Sequence, residues 1–178
     1  FMGFLALMLV SGCTSKPAEN PQQPEVNEPS DTVYSADIVI IGAGGAGMAA
    51  AIEASDAGAN VVILEKMSYA GGNTIRSGLN AAETVFQKEK NIEDSVQSMI
   101  DDTYIGGKEI NNMELVTYFA ENSAAAIDWL TSINMDVSDV AQGAGAAYPR
   151  MHRPADGSKI GGVLVPVLMK NLEERQIT

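Results

Sequence analysis

The chain has 178 residues and sets 11 Lys and Arg against 23 Asp and Glu, a net charge of −12. With no basic patch to neutralise phosphates, nucleic acid and anionic lipid headgroups are excluded as partners. One cysteine and one histidine leave no intrachain disulfide, no Cys-x-x-Cys-His haem attachment and no Cys/His metal cluster, so no metal ligand is assigned.

Phe1 to Val10 is almost wholly apolar and leads through Ser11-Gly12 to Cys13. The stretch is too short to span a bilayer, which takes roughly 20 apolar residues, and its length suits a signal core. Small residues before a lone cysteine resemble a bacterial lipoprotein signal over 1–13, with Cys13 as the lipidation site. No initiating Met or basic stretch precedes it, so the signal's own start is expected upstream. Residues 14–35 are rich in Pro, Glu, Asn and Gln, with Pro17, Pro21, Pro24 and Pro29 among them. Such a composition buries too little apolar area to fold and reads as a tether. The expected placement is outside the cell, at the outer face of a bacterial cytoplasmic membrane, with the lipid anchor as the sole membrane contact.

Folded material is expected over 36–178. Ile38 to Ile41 is a β-branched run that stops at Gly42-Ala43-Gly44-Gly45-Ala46-Gly47, and an alanine-rich helical stretch, Met48 to Ala57, follows. Strand, G-x-G-x-x-G turn and helix are the context of a dinucleotide site. Gly42 permits the turn, Gly44 lets a pyrophosphate approach the backbone, and Gly47 lets helix and strand pack closely. The helix N-terminus then offers free N–H groups and the positive end of its dipole. Asn60 to Glu65 reads as the next strand, entered through Gly58. Glu65 lies 23 residues after Gly42, where a carboxylate accepts the hydroxyl protons of an adenosine ribose.

Gly71 to Asn80 is polar and glycine-rich, poor material for helix or strand, and reads as a loop offering Asn73, Thr74 and Ser77 to a planar heterocycle or to solvent. Glu93 to Tyr104 reads as an amphipathic helix with Val96, Met99 and Ile100 inward, ended by Gly106-Gly107. Asn112 is placed to cap a helix whose apolar face carries Leu115, Val116 and Phe119. A further helical segment holds Ala125, Ile127, Trp129 and Leu130, with Trp129 read as core packing. Gln142 to Ala147 is a glycine–alanine loop, and Tyr148 to Pro154 is read as a polar loop near a cofactor or over the surface. Within it, Arg150 and Arg153 are expected to depress the pKa of His152. Lys159 to Gln176 is helical, with Pro166 costing one interior hydrogen bond. A third strand is expected to start at Ile177-Thr178.

Together these segments resemble the flavoprotein family of soluble fumarate reductases, flavocytochrome c and urocanate reductase, from about Asp37 to Arg175. The resemblance rests on Ile40 to Gly47, Leu64-Glu65-Lys66, Gly71-Gly72-Asn73-Thr74, Leu79 to Thr84, Asp101-Asp102-Thr103, Gly106-Gly107, Ile127 to Leu130 and His152-Arg153-Pro154. It implies an α/β fold, the N-terminal part of a Rossmann-like FAD-binding domain of the glutathione-reductase type, and FAD as the cofactor. Gly42, Gly44, Gly45, Ala46 and Gly47 would hold the pyrophosphate, and Glu65 with Lys66 the adenosine side. Gly72, Asn73, Thr74, Ser77 and Gly78 would line the flavin, although the family usually carries two more residues between Asn73 and Leu79. The implied reaction is hydride transfer from reduced flavin to the activated C=C bond of a small unsaturated acid, fumarate- or urocanate-like, from an electron donor left open. Other readings are a ketosteroid-dehydrogenase or L-aspartate-oxidase type of enzyme, or a surface electron relay. The family's arginine acid, clamping histidines and capping domain correspond to nothing before Thr178, so no catalytic residue is assigned.

Overall fold

The computed structural model describes residue 33 and residues 35–178. The lipobox reading at Cys13 and nearly all of the tether therefore lie outside the described residues. Strand β1, Ile38–Ile41, runs parallel to β2, Val61–Leu64, with Ile38 opposite Val61 and Ile41 opposite Leu64. Helix α1, Gly45–Asp56, connects them, so the first ~30 residues of the folded part form one βαβ unit. The helix starts three residues before Met48 because the glycines of the turn already adopt helical geometry. At its far end Gly58, at φ +94°, reverses the chain into β2. The Thr178 carbonyl accepts from the Ile63 N–H at 2.7 Å, on the edge of β2 away from β1, where a third strand was expected.

Between β2 and the next α-helix, Gly71 to Asn80 is more ordered than its composition suggests. Gly72–Arg76 winds into a 3₁₀ helix, and Gly71, at φ +110°, donates its N–H to the Ala43 carbonyl at 2.7 Å. Helix α2, Val85–Glu89, is a single turn without a periodic signal. A reciprocal capping box starts it, in which Thr84 and Gln87 satisfy each other's backbone amides. Helix α3 spans Val96–Gly106, capped by Ser95.

The two helical segments expected after Asn112 are one 20-residue helix, α4, Met113–Ser132, with Asn112 as its cap. Its inward face is also shifted from the expected one. Val116, Ala120, Ser123, Ile127 and Leu130 are buried, whereas Leu115 and Phe119 are exposed. Trp129 packs against the core and donates its indole N–H to Glu53, as a packing residue would.

Strands β3, Asp139–Ala141, and β4, Met151–Arg153, pair antiparallel, with Val140 opposite His152. The stretch read as a polar loop thus contains a strand, in which His152 faces inward and Arg153 pairs with Asp139 at the edge, while Arg150 just before it is buried. Helix α5, Ile160–Glu174, contains Pro166 and lies against α1 and the 3₁₀ helix. Gly161 permits that approach, since a Cβ there would stand 2.2 Å from the Ile75 carbonyl oxygen. Met48, Ala51 and Ile52 of α1, Ile127 and Leu130 of α4, and Ile160, Leu164 and Leu168 of α5 form the main core. Burying side chains of the Ile, Leu and Met kind stabilises by about 1.5–3 kcal/mol each. Val39 and Ile41 remain exposed on one face of the β1–β2 pair.

Candidate nucleotide site

The turn at the head of α1 is built by close approach. A Cβ on Gly47 would lie 1.9 Å from the Gly42 carbonyl oxygen, and Gly42 itself sits at φ +102°. Both positions therefore require glycine. Gly44 differs, because a Cβ there would meet nothing within 4 Å. The space in front of its backbone is open, as an approaching phosphate needs.

No side chain caps α1 at Gly44. The Gly45 N–H donates to the Thr74 hydroxyl at 2.9 Å, while the Ala46 and Gly47 N–H groups find no protein acceptor among the described residues. One amide of the cradle is thus held by the protein itself, and two remain to receive an anion at the positive end of the helix dipole. Thr74 belongs to the 3₁₀ helix, which the Gly71–Ala43 hydrogen bond and the Gly44–Gly71 bridge draw against the turn.

Glu65 follows β2 and is half-buried. Its Oε1 accepts from the Met67 N–H at 2.9 Å and its Oε2 from the Ala43 N–H at 2.8 Å. Those two amides, Met67 foremost, hold the carboxyl below its ordinary value, so it stays ionised. Each carboxylate oxygen keeps a lone pair for a further donor. A cleft of about 300 Å³ opens beside it, lined by Glu65, Met67, Tyr69, Gly72, Asn73 and Arg76. A second cleft, of about 380 Å³, runs along Ser77 and Gly78 to β4 and the start of α5.

The expected residues are therefore brought together in part. Gly42 to Gly47, Glu65, Gly72 and Thr74 meet at one end of the βαβ unit. Asn73, Ser77 and Gly78 continue the same rim, with the Ser77 hydroxyl turned to the Thr74 carbonyl at 2.8 Å. The Lys66 side chain is exposed and has no hydrogen bond or ion pair among the described residues. Tyr69 and Met67 were not singled out in the sequence, and Gly71 was named only within the Gly71-Gly72 motif and not as a site residue. His152 is the central residue of β4, fully buried rather than in a surface loop. Burial pushes its pKa down, opposed by the Arg150 carbonyl, and the cation that adds to the shift is Lys90, not either neighbouring arginine.

Residues 37–176 match the family model of the FAD binding domain. The chain belongs to this family. Its cofactor is FAD, and the open amides at the head of α1, with an ionised acid opposite, fit the diphosphate and ribose of that molecule. Among proteins of known function, the chain is 46% identical over 145 residues to an NADH:fumarate oxidoreductase of Klebsiella pneumoniae, covering 80% of this chain and 16% of that protein. It is 41% identical over 165 residues to a fumarate reductase (cytochrome) of Shewanella frigidimarina, covering 92% of this chain and 28% of the relative. A flavocytochrome c3 fumarate reductase in its open conformation superposes with a TM-score of 0.74 at 37% identity, over 79% of this chain and 25% of that one. The FAD-binding-domain chain thus spans less than a third of the length of each protein it matches here.

Proposed function

We propose that this FAD-binding segment serves an oxidoreductase that reduces the activated C=C bond of a small unsaturated carboxylic acid, fumarate-like in charge and conjugation. The observation that carries the proposal is the ionised Glu65 carboxylate, hydrogen-bonded to Ala43 of the glycine turn while the amides of Ala46 and Gly47 remain open. Fumarate reductases among the similar proteins supply the substrate class.

The chemistry that FAD would supply when bound there is hydride donation from its reduced ring. The chain's own residues do the holding. Gly44, Gly45, Ala46 and Gly47 would present backbone to the diphosphate, and Glu65 would accept from the ribose hydroxyls. Gly72, Asn73 and Thr74 would follow the cofactor toward Ser77 and Gly78, whose backbone would border the ring. Donors fixed in a folded backbone cost no reorganisation when charge arrives, which is what such a site contributes to the chemistry.

Cys13 would carry the lipid that anchors the protein outside the cell. Metabolic labelling of the full-length protein with a fatty acid tests that: label on wild type that is lost in Cys13→Ala supports it, and wild-type protein without label contradicts it. The activity is tested with the full-length protein, reduced viologen and a panel of enoates. Substrate-dependent viologen oxidation is expected. Its absence with every enoate, from a protein that holds FAD, would instead favour an electron relay.

A further inference from the structure

Arg150 and Asp94 form a buried ion pair that the holding of FAD does not use. Arg150 is 3% exposed and the Asp94 side chain is fully enclosed. The Arg150 Nε and Nη2 donate to the two oxygens of Asp94 at 3.0 and 2.7 Å, and Nη1 reaches Asp102 Oδ2 at 3.0 Å. Nη2 also reaches the Ser98 hydroxyl at 3.2 Å. Gln87 and the Ser95 N–H complete the Asp94 carboxylate, and the Ala147 N–H donates to Asp102. One guanidinium thus ties β4 to α3 and its approach, and through the shared carboxylates to α2 and the glycine loop before β4. A planar fork between two carboxylates fixes direction as well as distance.

The backbone of β4 in turn holds the residues next to the second cleft. The Ala81 N–H donates to the Arg150 carbonyl at 3.0 Å, and the His152 N–H donates to the Leu79 carbonyl at 2.7 Å. Asn80 bridges to Met151 between them. Ser77 and Gly78 emerge directly from this three-residue pairing. His152 secures the strand's other end. Its Nδ1 faces the Arg150 carbonyl at 2.9 Å and so carries the proton, and Nε2 accepts from the Thr84 hydroxyl at 2.9 Å.

We infer that Arg150 is a positioning residue for the flavin ring: through β4 it sets where the Ser77–Gly78 backbone stands. The inference rests on the reading that Ser77 and Gly78 border that ring. A buried ion cluster is a costly way to obtain stability alone, since apolar residues of equal volume often serve as well. What it supplies here is a fixed strand direction beside the cofactor.

The test uses the full-length protein with FAD bound, and compares Arg150→Gln, Arg150→Lys and Asp102→Asn. The readouts are the visible flavin spectrum, kcat, KM and melting temperature. Arg150→Gln is expected to retain FAD, alter the flavin band shape and lower kcat by roughly 10- to 100-fold, the scale of a sub-ångström to one-ångström misplacement. KM should change far less, because the substrate's own binding groups are untouched. Arg150→Lys should recover part of both signals, having the charge without the fork, and Asp102→Asn should show a smaller shift of the same kind. Arg175→Gln, which breaks an exposed pair with Asp56, serves as the control that lowers melting without moving the spectrum.

A folded Arg150→Gln protein with the wild-type spectrum and kcat overturns the inference. Should that variant fail to fold, Asp102→Asn decides, since it keeps the Asp94 fork; a wild-type spectrum and kcat there overturn it equally. A wild-type protein without flavin refutes the site itself, and that result is separable from any variant's.

Discussion

Gly44 and Gly47 stand three residues apart and answer to different demands. Alanine at Gly47 drives a methyl group into the Gly42 carbonyl, an overpacking that costs about 1–3 kcal/mol. Gly47→Ala is expected to lower the melting temperature and weaken FAD together. Alanine at Gly44 meets no atom within 4 Å, and the φ of −80° there suits any residue. Gly44→Ala should therefore melt like wild type and still bind FAD at least roughly tenfold more weakly, because the added methyl occupies the phosphate's path. Thermal melting and flavin-fluorescence titration on the same samples check this, and wild-type affinity in Gly44→Ala would remove the phosphate from that turn. Spacing alone exposes these glycines and Glu65 in the sequence, because each must act at a fixed offset from one strand end. Thr74 as the partner of the Gly45 amide was not legible, since 29 residues separate the two and only the fold brings them together.

The elements that misled were those whose character depends on distant partners. The run from Arg150 to Arg153 lies between Pro149 and Pro154 and carries two charges and an imidazole, all signals of an exposed loop. It instead runs into β4 with Arg150 and His152 buried, because Asp94, Asp102 and Thr84, contributed from other elements, satisfy those two side chains. On α4, Leu115 and Phe119 form an apolar stripe as regular as the buried one, so periodicity could not tell which stripe faces the core. Capping, by contrast, was readable at Asn112, where a side chain serves its own helix. His152 makes the stability of this region depend on pH. Its pKa is lower folded than the ordinary 6.5, so between the folded value and about 6.5 the unfolded chain binds the extra proton and the folded chain does not. Stability is therefore fully present above about pH 6.5 and declines as pH falls below it. Comparing melting temperature against pH for wild type and His152→Gln checks this; the variant should lose the part of the slope that begins near 6.5. An unchanged profile would assign that slope to carboxylates alone.

At the scale of the whole molecule, the βαβ unit and the packing of α1 and α5 hold together, yet Ile41 is 87% exposed on the sheet's bare face. Strands of a doubly wound sheet are normally covered on both faces. The 178-residue chain by itself is thus expected to bind an apolar-surface dye, to associate in gel filtration and to retain little FAD. A monomeric peak carrying stoichiometric yellow flavin would show that the two strands suffice. The α/β class and a dinucleotide site were legible in the sequence because one short motif and its distant acid specify them, while FAD as the dinucleotide followed from the family resemblance. The arrangement of the second sheet was not, because its two strands have only three residues each.

The central claim is that the backbone turn at Gly42–Gly47 and the Glu65 carboxylate together hold FAD. The most direct measurement is a fluorescence titration of full-length apoprotein with FAD and with FMN, for wild type and for Glu65→Gln. Tight wild-type binding of FAD is predicted, weakened roughly tenfold or more by the substitution, as loss of a charged acceptor entails. FMN lacks the adenosine ribose, so its weaker binding should not respond. Equal FAD affinity in the two proteins, or an equal loss for FMN, would contradict the assignment.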